Sequence, residues 1–137
     1  MITAVDTSVL SDIFLRDSQH YGPSSALVRR ALSEGALIAC SMVWAEIAAL
    51  FHSEDLARET LERLTVGYSE IDEAGSLRAG TAWRSYRRSG GTRKRVIPDF
   101  LIAAHALSKA DRLLTRDRGF YRSYFKDLKL LDPQGQS

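Results

Sequence analysis

Short strand-like runs at residues 2–5 and 37–40 each meet a small polar or acidic residue and then a stretch with helical spacing, and a third run, RLLT at 112–115, leads into Arg116 and Asp117. Runs of about four residues, mostly apolar and without strict alternation, are what strands buried on both faces look like. Strands of that kind, separated by helical segments, specify an α/β domain with a mainly parallel sheet, because parallel neighbours need a helical crossover between them.

The residues between the runs give the rest of the order. Asp6, Thr7 and Ser8 end the first strand and cap a helix. Ser24 and Ser25 open a second helix, with Leu27, Val28, Ala31 and Leu32 on one side and Gly35 as its terminator. After the strand at 37–40, Ser41 is a candidate N-cap for a helix bearing Val43, Ile47, Leu50 and Phe51. A polar helix at about 54–64, a short strand at 66–71 and a helix capped by Asp72 follow. That last helix carries Ala79, Ala82, Trp83 and Tyr86 on one face, Arg84, Arg87 and Arg88 on the other, and stops at Ser89-Gly90-Gly91. Pro98 suits the first position of the next helix, which places Asp99 in its first turn, with Ile102, Ala103, Ala106 and Leu107 inward. The run at 112–115 leads into Arg116-Asp117-Arg118-Gly119, and 128–131 forms the last strand.

One domain accounts for all 137 residues, since a chain of this length has room for a single core. It comprises residues 1–132, with 133–137 a short polar tail. Apolar residues at 45% and charged residues at 26%, with 9 glycines and 3 prolines, exclude collagen-like and disordered classes. The longest apolar runs reach five residues, far short of a membrane span, and the N-terminus has neither a basic n-region nor a cleavage site. The single cysteine, Cys40, forms no internal disulfide and suits a reducing cytoplasm. It reads as a small buried hydrophobe.

Ligands of an open parallel sheet bind beyond the carboxyl ends of its strands. Asp6 and Asp117 follow strands at that edge, Asp99 sits at a helix start, and Glu46 lies about a turn into the helix after residue 40. Each acid alone serves as well as a cap or a solvated residue. Together, four carboxylates would repel one another unless a cation joined them. Oxygen-only donors select Mg²⁺ or Mn²⁺ over zinc, and such sites serve phosphoryl transfer.

The segments VDTSVLSDIF, SMVWAEIAAL, VIPDFLIAAHA and LLTRDRGF resemble, in order and spacing, the four acidic motifs of the PIN-domain family, and the length resembles that of its VapC-like toxins from bacterial toxin-antitoxin pairs. The resemblance covers residues 2 to about 131. It implies a three-layer α/β/α domain around a central, mainly parallel sheet, with Asp6, Glu46, Asp99 and Asp117 as metal ligands. Thr115 matches a hydroxyl position that helps to hold the acids, and Ser8 a small polar position beside the first acid; their ordinary roles are a strand-end hydroxyl and a helix cap. Gly119 departs from members that carry a further acid there. The implied activity is a Mg²⁺- or Mn²⁺-dependent endoribonuclease, in which water activated at the metal site cuts the phosphodiester and leaves a 5′-phosphate and a 3′-hydroxyl. Implied partners are RNA, a cognate antitoxin able to set a basic side chain against the acids, and a second copy of the chain. A non-catalytic domain of the same fold, binding RNA or protein, is the alternative.

Other chemistries find no support. A haloacid dehalogenase-type phosphatase needs an acid at position 8, which is Ser8. Motifs for serine hydrolases, zinc proteases, NTPases and dinucleotide enzymes are missing. His20, His52 and His105 are scattered and read as surface or helix-face residues.

The net charge of +2 conceals an asymmetry. Arg78, Arg84, Arg87, Arg88, Arg93, Lys94 and Arg95 carry +7 within a stretch without acids, which leaves the remainder at −5. Such a run serves as a solvated face or, beside a metal-holding edge, as a clamp on a phosphate backbone through Arg87, Arg88, Arg93, Lys94 and Arg95. Filling the acidic site with two divalent ions would raise the total to about +6. Trp44, Trp83, Tyr86 and Tyr121 are candidate base-stacking residues, although Trp83 and Tyr86 also fit a core face.

Overall fold

A computed structural model of the chain describes residues 1–91 and 97–133. In chain order the elements are β1 (Ile2–Val5), α1 (Thr7–Phe14), α2 (Tyr21–Glu34), β2 (Ala36–Cys40), α3 (Ser41–Ala48), α4 (Glu54–Arg63), β3 (Val66–Ser69), α5 (Glu73–Arg88), α6 (Ile97–Lys109), β4 (Arg112–Leu114), α7 (Arg118–Tyr124) and β5 (Leu130–Leu131). The strands pair in the order β3-β2-β1-β4-β5, every pairing parallel. The chain winds outward from β1 through β2 to β3, then crosses back to β4 and β5. Right-handed crossovers in the two directions put α1 to α4 on one face of the sheet and α5 to α7 on the other. This is the parallel α/β sheet that the alternating sequence predicts, in the three-layer arrangement that the family resemblance implies.

The reversal of direction falls between β1 and β4, where Thr3, Ala4 and Val5 pair with Arg112, Leu113 and Leu114. The amide of Asp6 extends this pairing by donating to the Leu114 carbonyl at 2.9 Å. Beyond a switch point the chains diverge to opposite faces and leave a crevice. Ala4, Val5, Leu113 and Leu114 are at most 1% exposed, so both walls of the crevice stand on the rigid centre of the core. Behind β4, Phe100, Phe120, Tyr124 and Tyr86 form an edge-to-face cluster that ties α5, α6 and α7 together.

Several boundaries differ from the sequence reading. Helix α2 begins at Tyr21, before Ser24, because Gly22 and Pro23 lie in its first turn, where Pro's missing N–H leaves no gap. Ser24 is no cap; its buried hydroxyl donates to Asp12 Oδ2 at 2.7 Å. Cys40, not Ser41, is the N-cap of α3, and that helix ends at Ala48. Phe51 therefore lies beyond it, packed edge-on against Phe14, while Leu50 is exposed. Strand β3 stops at Ser69, β4 at Leu114, and β5 contains only Leu130 and Leu131. Pro98 is the second residue of α6 rather than the first. Helix α7 was not anticipated from sequence at all.

Candidate active site

Asp6 leaves β1 in extended conformation and caps α1, its Oδ1 accepting from the Thr7 amide at 2.8 Å. Its other oxygen, Oδ2, accepts from the Thr115 hydroxyl at 2.7 Å, and the Tyr121 and Ser8 hydroxyls approach it at 3.4 and 3.5 Å. The cap and the site are thus one residue, because the strand end that frees a helix amide also points the carboxylate into the crevice. Asp6 is 5% exposed. Burial pushes its carboxyl above the ordinary carboxylate range, partly countered by the bonds from Thr115 and Thr7, with the charge of Asp117 adding to the rise.

Thr115 follows β4 and is fully buried. While donating to Asp6 it accepts from the Asp117 amide at 3.0 Å, so a single hydroxyl fixes the spacing of the two strand ends. Asp117 precedes α7, yet its side chain makes no capping bond to that helix. Glu46 projects from α3 and accepts from the Thr7 hydroxyl at 2.6 Å. Asp99 stands in the first turn of α6. A cavity of about 210 Å³ is lined by Asp6, Thr7, Ser8, Ser11, Glu46, Asp99 and Asp117. All four acids named from sequence border it, with Thr115 directly behind.

Sequence reasoning passed over Thr7 and Ser11 as site residues and gave Tyr121 a different role. Thr7 and Ser11 lie one helical turn apart on α1, so the helix spacing behind Asp6 carried a signal for them. Tyr121 is corrected: it is no stacking platform, because it is fully buried on the inner face of α7. Burial, with the charges of Asp6, Asp99 and Asp117, drives its phenol well above its ordinary value, so it stays a neutral donor. Tyr86 is buried in the aromatic cluster, as the core reading has it. Trp83 is half-buried under the Arg87 guanidinium, 5.2 Å from its ring, and Trp44 meets Tyr68 edge-on. Gly119 is exposed in the first turn of α7, and a side chain there would meet open space.

The loop carrying Asp117 is braced by an ion pair. Arg116 grips Asp12 with Nε at 2.7 Å and Nη2 at 2.9 Å. Asp12 is 2% exposed, and Asp12, Asp17 and His20 bring ligand-type atoms within 4.8 Å of one another. The guanidinium and Ser24 already occupy Asp12, and His20 pairs with Asp17 at 3.0 Å, so this cluster is an internal brace, not a cation site. None of the three histidines lines the acidic cavity. His105 is buried, its Nε2 2.8 Å from the Ser69 hydroxyl, and Cys40 is a buried thiol whose pKa burial raises.

Arg87 and Arg88 are exposed at the end of α5, where they line a separate groove with Gly80, Trp83 and Arg84. Arg78 is drawn away from that face by Asp127, at 3.0 Å. Arg93, Lys94 and Arg95 lie outside the described residues.

Among the described residues, the side chains lining the acidic cavity offer only carboxylate and hydroxyl oxygens. Among the described residues, no three of its carboxylates bring oxygens within 4.8 Å of one another. Hard oxygen donors at that wider spacing suit Mg²⁺ or Mn²⁺, which bind through one or two carboxylates and keep several waters.

Fold and site define an α/β domain with an acidic crevice at its topological switch point. The PIN domain family model matches residues 3–126, and the chain belongs to that family. Among solved structures it is similar to VapBC-1 from nontypeable Haemophilus influenzae (20% identity, TM-score 0.74, covering 98% of this chain and 100% of that one). It is also similar to FitAcB from Neisseria gonorrhoeae (23% identity, TM-score 0.68, 98% and 99%) and to FitAB bound to an IR36 DNA fragment (21% identity, TM-score 0.71, 100% and 98%). Comparison with curated proteins gives no match. Among the described residues, no helix is long and apolar enough to cross a membrane.

Proposed function

We propose that residues 1–132 form one nuclease domain, a Mg²⁺- or Mn²⁺-dependent endoribonuclease that acts as the toxin of a toxin-antitoxin pair. The observation that carries the reading is the convergence of Asp6, Glu46, Asp99 and Asp117 on one cavity, with Asp6 buried and held by three hydroxyls. A structure that keeps four acids together and supports one of them from behind has organised negative charge for a cation. That cost in stability is hard to reconcile with a purely binding domain. End-to-end similarity to VapBC and FitAB complexes supports the toxin role and an antitoxin partner.

One or two divalent ions held by these acids would supply the Lewis acidity that makes water a nucleophile at neutral pH. The chain's own part is positional. Thr115 favours the ionised form of Asp6 against burial and sets its distance from Asp117, Thr7 orients Glu46, and Tyr121 closes the inner wall of the site. Arg87 and Arg88, with Arg93, Lys94 and Arg95, would neutralise the phosphates of the bound RNA. In the reducing cytoplasm expected for such a toxin, Cys40 stays a buried thiol. An antitoxin side chain able to replace the cation would be an Arg, whose fork matches paired carboxylates. The chain is further expected to dimerise or to assemble with its antitoxin.

The test is cleavage of total RNA by purified protein with Mn²⁺, compared with Asp6→Asn, Asp99→Asn and EDTA. Loss in all three supports the reading, and full cleavage by Asp6→Asn would refute it. Isothermal titration with Mn²⁺ separates the alternative of a non-catalytic binder, which would remain folded and take up no metal.

A further inference from the structure

A second, larger cavity of about 710 Å³ lies at the opposite edge of the sheet, where β1 and β4 begin and β5 is entered. Its rim is basic. Arg122, Lys126 and Lys129 are exposed around it, and among the described residues none of the three is ion-paired to an acid. Arg30 and Arg112 also border it and are held by Glu34, at 3.2 and 2.5 Å. Among the described residues lining it Asp111 is the one acid, and it is engaged in accepting from the Ile2 amide at 2.7 Å. Buried Leu128 and Leu130 give it an apolar floor.

We propose that this cavity anchors the phosphate backbone of single-stranded RNA a few nucleotides away from the acidic crevice. The inference rests on the ribonuclease reading. Four carboxylates repel a polyanion as well as attract cations, so a strand entering the crevice gains most from cations placed beyond the range of that repulsion. The four residues of β1 separate the two edges by about 13 Å, more than the screening length of about 8 Å at physiological salt.

Helix α7 joins the two places. It starts beside Asp117 and runs back along the sheet for about 10 Å, at 1.5 Å per residue. Arg118 and Arg122 are one turn apart on it, and Lys126 follows four residues later. Arg118 contributes a buried Nε with no hydrogen-bond partner among the described residues. The cations therefore form a track from the crevice to the basic cavity, and the leucine floor offers a surface for a ribose or base at its end.

The test uses the full chain carrying Asp99→Asn, so that RNA is bound but not cut, with and without Arg122→Ala, Lys126→Ala and Lys129→Ala together. Fluorescein-labelled single-stranded RNAs of 4 and 16 nucleotides are titrated by anisotropy across a salt series. Affinity for the 16-mer should fall at least about tenfold and its log–log salt slope by about 2, as expected for three lost phosphate contacts, while the 4-mer changes little. Unchanged affinity and slope for the 16-mer would overturn the proposal. So would loss of antitoxin binding with RNA binding intact, which would assign the cavity to a protein partner. Circular dichroism checks that the triple variant folds, and Lys126→Glu with Lys129→Glu repeats the test through charge reversal. If the parent chain cuts no RNA with Mn²⁺ yet the salt slope still falls, the ribonuclease reading fails and the anchor stands. If it cuts RNA and the slope is unchanged, the reverse holds.

Discussion

The Thr115 hydroxyl donates to Asp6 at 2.7 Å across the β1–β4 junction, joining residues 109 positions apart in the chain. The bond lies in a fully desolvated place and is the largest influence holding the Asp6 carboxyl down against burial. Thr115→Val keeps the shape and removes the donor. Asp6 should then ionise only at higher pH, so the pH–rate profile with Mn²⁺ should shift its acid limb upward and activity at pH 7 should fall by about 10-fold or more. Thr115→Ser should restore both. A reduced rate with an unmoved acid limb would assign Thr115 a purely structural role.

Asp6 itself costs the fold stability at neutral pH. Its folded pKa lies above the unfolded value, so the charged form is disfavoured by folding, and stability declines as pH rises from the unfolded value through the folded one. Asp6→Asn removes that penalty and keeps a hydrogen-bonding side chain. In EDTA at pH 7 the variant should melt as high as the parent or a few degrees higher, while its RNA cleavage falls by at least about 10²-fold. A lower melting temperature would mean that the carboxylate is needed for packing.

How much of this was legible depends on how local each signal is. Asp6, Asp99 and Asp117 announce themselves because each sits where a strand stops or a helix starts, and Glu46 follows from the helix after residue 40. Tyr121 did not, because the segment 118–124 makes a helix of only seven residues with no capping side chain. Without that helix its inward position, four residues after Asp117, cannot be inferred, and an aromatic among arginines looks like a stacking group. The start of α2 was hidden for a related reason. Gly22 and Pro23 signal a break in an isolated chain, but they are tolerated in the first turn once Asp12 and Ser24 bind across the two helices.

Arg116 should matter to stability more than its surface position suggests. It is the bidentate partner of a carboxylate that is 2% exposed, while Ser24 supplies one further bond. Arg116→Met strands that charge and should cost about 3 kcal/mol by urea unfolding. Adding Asp12→Asn should recover most of the loss, since the buried charge goes with it. Equal stability of Arg116→Met and the parent would show that Asp12 needs no counterion.

Gly119 is open space at the start of α7, next to Asp117. Gly119→Asp places a carboxylate in the first turn, where the helix dipole favours it, and replaces a flexible residue by one that loses less entropy. The variant should be at least as stable as the parent and bind Mn²⁺ more tightly, by several-fold in calorimetry. Unchanged metal affinity would indicate that position 119 faces away from the crevice.

His105 makes the fold acid-sensitive through a group outside the site. It is 1% exposed on α6, and burial lowers its pKa from 6.5 to about 4, with Lys109 adding to the drop and Asp72 opposing it. The folded state thus holds the neutral ring against Ser69, whereas the unfolded chain takes up a proton below pH 6.5. Stability from this group is fully present above about pH 6.5, declines as the pH falls, and is lost once the pH passes below about 4. The shift corresponds to about 3 kcal/mol across that window. His105→Gln cannot titrate and can still bond to Ser69. It should flatten the pH dependence of urea midpoints between pH 4 and 6.5 without changing metal-dependent cleavage at pH 7.5. A variant that retained the parent's full acid sensitivity would place the responsible proton on another residue.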